Sequence, residues 1–156
     1  MSENEKRSSM GKSTKHFNTE ELVSKQVFDV IGDDAIKLFD PKAIETLEVI
    51  REILDVPLIC NNWADGGSRD DCGYRDKLCT IGAKNSLHRK GMAFDLVSPR
   101  MTAKEMRDKL DENKDLLIHP IRVEKWQGKK DEDHEISWLH IDVGDTKGEK
   151  IYWFLA

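Results

Sequence analysis

No part of this sequence approaches the run of about twenty apolar residues that a membrane-spanning helix needs, so no membrane span is expected. An apolar leader is missing as well. Residues 1–15 carry Lys6, Arg7, Lys12 and Lys15 among Ser, Glu and Asn, which predicts no signal peptide and synthesis in the cytoplasm. Cysteine is scarce. Cys60, Cys72 and Cys79 make an odd count and form no C-x-x-C pair, so free thiols are expected and a thiolate metal site is not. Positive charge is also short, with 25 Lys and Arg against 30 Asp and Glu and a net charge of -5. A nucleic-acid partner, which wants a basic face, is therefore not expected. No internal repeat is visible, and a monomer is expected.

What is present reads as a single domain. At 156 residues the chain is long enough to bury a core without disulfides. Residues 1–15 lack apolar periodicity and read as a disordered tail; residues 16–156 read as the domain. Thr19 followed by Glu20 and Glu21 suggests a helix start leading into Leu22, Val23, Val27 and Val30. The clearest helix covers 41–54, with Asp40 as its cap, Pro41 in the first turn, and Ile44, Leu47, Ile50, Ile53 and Leu54 on one face.

Residues 57–60 predict a buried strand, and 61–85, rich in glycine and polar residues, a long loop. In that loop Asn61, Asn62 and Trp63 are candidates to line a cleft. Residues 92–97 alternate as a strand, with Asp95 on the face opposite Phe94 and Leu96. Thr102 to Glu105 fits a capping box opening a helix towards Asn113. Residues 121–124 and 136–143 alternate as strands around a hydrophilic loop at 125–135, and 151–155 closes the domain. In the second of these strands Trp138, His140 and Asp142 share one face. Helices first and strands later predict an α+β fold, an antiparallel sheet with helices packed behind it.

Two segments carry chemistry. In the first, His88 stands in a turn, followed by Gly91, Ala93 and an in-strand Asp95; in the second, His140 sits mid-strand in Trp138-Leu139-His140. Two imidazoles and a carboxylate suit Zn2+, leaving one position for water. Ligation would also satisfy polar groups that a sheet face otherwise buries at a cost. Asp142, beside His140, is a candidate to orient it. His119 and His134 match no motif position and read as surface residues.

The first segment fits S-x-H-x-x-G-x-A-x-D at Ser86, His88, Gly91, Ala93 and Asp95. With the later W-x-H it resembles the Hedgehog/D-Ala-D-Ala peptidase superfamily over residues 17–143, including a preceding helix and strand and a Gly73-Tyr74-Arg75 element. The resemblance implies zinc held by His88, Asp95 and His140, with Arg75 binding substrate or the developing oxyanion; a loop salt bridge is the alternative for Arg75. It also implies peptide hydrolysis of peptidoglycan stem peptides, as in D,D-carboxypeptidases and phage endolysins. The absence of a leader favours an endolysin, acting on the cell wall after release.

The sequence departs from the family at the catalytic base. The carboxypeptidase branch places a Glu three residues before the last His, and here that residue is Ser137. Glu124, at the end of the preceding strand, is the preferred substitute. Glu135 is the other candidate, although a strand already running there would turn it away from His140. The rival reading is a non-catalytic zinc- or peptide-binding module of the same fold, such as a phage structural protein.

Overall fold

The computed structural model describes residues 14–76 and 86–155. Thr14 and Lys15, assigned to the tail by composition, are tied to the domain instead. The Thr14 hydroxyl accepts from the Phe17 amide at 3.0 Å, and Lys15 pairs with Glu52 at 3.0 Å. Residues 1–13 of the expected tail lie outside the described residues, as do Cys79 and Gly82.

The chain enters through a 3-10 turn, Thr19–Glu21, whose cap is Asn18 rather than Thr19. The Glu21 carboxylate accepts from the Asn18 amide at 2.6 Å, and Thr19 is buried inside the turn. Helix α1 (Lys25–Ile31) starts at Ser24, whose hydroxyl accepts from the Val27 amide. Leu22, Val23 and Val27 join the core, but Val30 is 82% exposed, since the last turn of this seven-residue helix places neither Val30 nor Ile31 in the core.

Helix α2 (Pro41–Leu54) begins and ends as its sequence predicts, with the Asp40 carboxylate accepting from the Lys42 amide and Asp55 closing it at a left-handed φ of 52°. Helix α3 (Ala103–Glu112) carries the expected Thr102/Glu105 capping box.

Four strands make one sheet: β1 (Ala93–Leu96), β2 (Ile121–Trp126), β3 (Glu135–Asp142) and β4 (Ile151–Leu155), in the order β1-β3-β2-β4. β3 pairs antiparallel with both β1 and β2. β4 departs from the expected antiparallel sheet. The connection 143–150 reverses the chain after β3 and passes β2, so β4 docks parallel on the free edge of β2.

The strand expected at 57–60 is reduced to one bridge, Ile59 to Val97. The outer edge of β1 is shared, because the Asp95 amide donates to the Cys72 carbonyl at 2.7 Å. Two loop segments therefore satisfy an edge that a full strand would otherwise cover.

Period-two alternation gives the sheet two unlike faces. Phe94, Leu96, Ile121, Val123, Leu139 and Ile141 are fully buried. They meet α3, which packs on β3, while α2 packs on α3. The opposite face carries Asp95, Arg122, Glu124, His140 and Asp142. No helix among the described residues is long and apolar enough to cross a membrane.

The β2/β3 ladder is interrupted between the pairs Glu124/His140 and Trp126/Glu135. Arg107 of α3, itself 2% exposed, donates there to the carbonyls of Ile136 (3.1 Å) and Trp138 (3.2 Å) and approaches Glu135 at 3.6 Å. Arg107→Leu would orphan both carbonyls and leave Glu135, among the described residues, with Lys125 alone, at 3.4 Å. The expected result is a loss of about 2–4 kcal/mol, read as a lower urea midpoint. An unchanged midpoint would show that water satisfies these carbonyls.

Candidate metal centre

His88 lies in a 3-10 turn, Leu87–Lys90, opened by the Ser86 hydroxyl accepting from the His88 amide and closed by Gly91. Gly91 has φ of +66°, and a Cβ there would stand 2.2 Å from the Leu38 carbonyl oxygen. Only glycine fits that backbone and that approach. Its carbonyl accepts from the Asp40 amide at 2.9 Å, fastening the turn to the start of α2. Two residues later β1 begins and presents Asp95.

The side chain of His88 is aimed by the backbone. Its Nδ1 lies 2.9 Å from the Gly73 carbonyl. A carbonyl can only accept, so Nδ1 carries a proton, and Nε2 is the nitrogen turned towards Asp95. Nε2 stands 3.3 Å from Asp95 Oδ2. Gly73 is needed at this point because a Cβ would stand 2.0 Å from the Leu22 carbonyl oxygen.

The remaining groups form a row across the sheet. His140 on β3 is the register partner of Asp95 on β1 and of Glu124 on β2, and Glu124 is in turn opposite Phe154 on β4. His140 Nδ1 is 2.8 Å from Asp95 Oδ1, and its Nε2 is 2.9 Å from Asp142 Oδ2. The turn and two neighbouring strands thus bring together residues from 88 to 140. His88, Asp95 and His140 each offer a ligand atom, all within 4.8 Å of one another.

These residues fit a metal ion. Tetrahedral coordination with bonds of about 2.0–2.1 Å spaces ligand atoms by about 3.3 Å. His88 Nε2 lies 3.3 Å from Asp95 Oδ2 and His140 Nδ1 lies 2.8 Å from Asp95 Oδ1, so the carboxylate stands between the two imidazoles with one oxygen towards each. Each histidine also has its other ring nitrogen bonded to an acceptor, the Gly73 carbonyl or the Asp142 carboxylate.

The charges are strongly coupled. Burial alone would raise the Asp95 carboxyl, but hydrogen bonds from His140 and His88 hold it well below the usual carboxylate range. Burial likewise opposes charging His140, yet Asp142 and Asp95 together push it up to about 9. Glu124 behaves differently. Burial lifts its carboxyl above the ordinary value, Asp95 and Asp142 add to the lift, and His140 and Arg122 oppose it. Among the described residues no hydrogen bond or ion pair engages that carboxylate.

The other candidates sort by what they touch. Arg75 donates through Nε to the Asp71 carbonyl at 2.7 Å and places NH2 3.3 Å from Asp95 Oδ2. It is a salt bridge, and the bridge is made to a candidate metal ligand. Glu135, the alternative base, lies against Arg107 and Lys125 and pairs with Trp126, away from the row. Trp63 donates to the Val23 carbonyl and packs on Phe28, and Asn61 bridges the Val23 carbonyl and the Cys72 amide. The Asn62 side chain accepts from the Arg69 amide. All three brace the loop rather than line the site. His119 and His134 pair with Glu45 and Asp131 at the surface. Cys60 and Cys72 are free thiols.

Sequence reasoning missed Arg122, Gly144 and Phe154. Arg122 lies two residues before Glu124 on the same strand and therefore on the same face, which alternation could have flagged. Gly144 and Phe154 gain their places only through the turn after β3 and the parallel docking of β4.

Fold and site together define an α+β domain whose sheet face gathers two histidines and an aspartate able to hold a metal ion. No protein-family model, no curated protein and no solved structure matches the chain.

Proposed function

We propose that this chain is a zinc-dependent peptidase that hydrolyses peptidoglycan stem-peptide bonds, as an endolysin or D,D-carboxypeptidase of the Hedgehog/D-Ala-D-Ala type. The observation that carries this reading is the row Asp95–His140–Glu124, with His88 closing on its first member. It sets a partly desolvated carboxylate, with no hydrogen bond or ion pair among the described residues, beside a three-ligand metal set. The cell-wall substrate rests on the motif spanning Ser86 to Asp95.

Zinc held there would polarise the scissile carbonyl and acidify the attacking water. Glu124 accepts the proton from that water as its oxygen bonds to the carbonyl carbon. It then returns the proton to the amine nitrogen as the C–N bond breaks. Arg75 sets positive charge near the carbonyl oxygen, where negative charge develops. Gly73 and Asp142 keep the two imidazoles aimed throughout.

The test is elemental analysis of protein purified without chelator, repeated on His140→Ala, followed by muropeptide digestion. We expect about one zinc per chain in the parent, its loss in the variant, and release of peptide products only by the parent. No metal in either protein, even after zinc is restored, would sink the reading. Zinc without turnover on any muropeptide would leave a binding module.

A further inference from the structure

A buried carboxylate behind His140 has more donors than a cross-strand pair requires. Asp142 is fully buried. Its Oδ1 accepts from Arg122 Nε at 2.8 Å and from the Gly144 amide at 3.0 Å; its Oδ2 accepts from Arg122 NH2 at 3.1 Å and faces His140 Nε2 at 2.9 Å. Arg122 is the register partner of Asp142, and its guanidinium lies 4.2 Å over the Phe154 ring. The same ring meets the His140 imidazole edge-on at 5.7 Å. A Cβ at Gly144 would stand 2.7 Å from Leu87 Cδ1 and 3.1 Å from Asp142 Oδ1, so a side chain there would press on Leu87 and on the carboxylate.

We infer that Arg122 is a positioning residue for the metal centre, acting through Asp142 to fix which nitrogen of His140 faces the metal. The bidentate fork holds the Asp142 carboxylate so that Oδ2 accepts a hydrogen bond from His140 Nε2, which keeps its proton. Nδ1 is then the free donor, directed towards Asp95 and His88. The Arg122 charge also compensates Asp142, so that His140 meets a neutralised pair rather than a bare anion. Phe154 holds the guanidinium and the imidazole from the same side. A lysine at position 122 would keep the charge but not the planar fork.

This inference rests on the metal reading above and not on the reaction. The experiment is zinc titration of the full chain against a competing chelator for parent, Arg122→Met and Arg122→Lys, together with long-range 1H–15N spectra of the zinc-loaded parent. Affinity is expected to fall about 10- to 100-fold in Arg122→Met, the range for loss of an outer partner of a metal ligand, and by an intermediate factor in Arg122→Lys. The parent spectrum is expected to show His140 protonated at Nε2 and metal-bound at Nδ1. That spectrum needs no variant, so a misfolded Arg122→Met leaves the test intact. Zinc on His140 Nε2, or parental affinity in a folded Arg122→Met, would overturn the role of Arg122. Failure of the parent to bind zinc is a separate result, which overturns the proposed function as well.

Discussion

Glu124→Gln is expected to slow muropeptide hydrolysis by about 10²–10⁴-fold, the usual worth of a positioned general base, while zinc content and thermal stability stay at parental levels. Gln keeps the volume and loses only the ability to hold a proton. The effect follows from position: Glu124 is the register partner of His140, 8% exposed, with a carboxyl lifted above its ordinary value by burial. A base so placed holds a proton more readily than an exposed carboxylate and can deliver it to a leaving amine. Glu135→Gln is the matched control. Glu135 is spoken for by Arg107 and Lys125, so its loss should affect stability rather than turnover. Parental turnover in Glu124→Gln, or a collapse only in Glu135→Gln, would remove Glu124 from the mechanism.

The second large effect concerns pH and metal together. In the metal-free protein His140 lies between Asp95 and Asp142, with Glu124 as its neighbour, His88 and Arg75 against Asp95, and Arg122 against Asp142. Burial works against its charge, but the two carboxylates raise it from 6.5 to about 9. A raised folded-state value stabilises below the unfolded one, so this contribution is complete below about pH 6.5 and is lost as pH climbs through about 9.

The two aspartates have the opposite sign. Both lie below the ordinary 3.8 in the fold, so their contribution is present above about pH 4 and disappears in acid. Metal-free protein should therefore be most stable between about pH 4 and 6.5 and should lose on the order of 3 kcal/mol by pH 9.

Zinc bound at the proposed site would replace the proton on His140, so its affinity should strengthen over the same alkaline range. The melting-temperature gain from added zinc should accordingly grow between pH 6 and 9. Melting curves of chelated and zinc-loaded protein across that range check both statements. A gain that stays flat with pH would mean that the proton and the metal do not compete for His140.

Most local signals were readable, although the first turn is capped by Asn18 rather than Thr19. Asp40 and Pro41 start α2, Thr102 and Glu105 start α3, and alternation assigns Phe94, Leu96, Leu139 and Ile141 to one sheet face and Asp95 and His140 to the other. Even the doubt over Glu135 was legible, since a strand starting there turns it away from the site. The reading failed where long-range pairing decides. Residues 57–60 have strand composition but form one bridge, because Cys72 takes part of the β1 edge. Val30 has core composition but lies at the far end of a short helix.

By itself, then, the sequence determined which residues could bind a metal: His88 in a glycine-closed turn, and Asp95 and His140 on alternating strands. Spacing and side-chain period are local properties, and they survive without knowledge of the fold. Only the tertiary structure placed Glu124 beside His140 and Glu135 against Arg107 and Lys125, set Arg122 and Gly144 behind Asp142, and brought Phe154 alongside. Those choices depend on strand order, on the register that places Glu124 opposite His140, and on the parallel docking of β4. Register couples residues far apart in sequence through backbone hydrogen bonds, and no single strand's pattern specifies which partner stands opposite it.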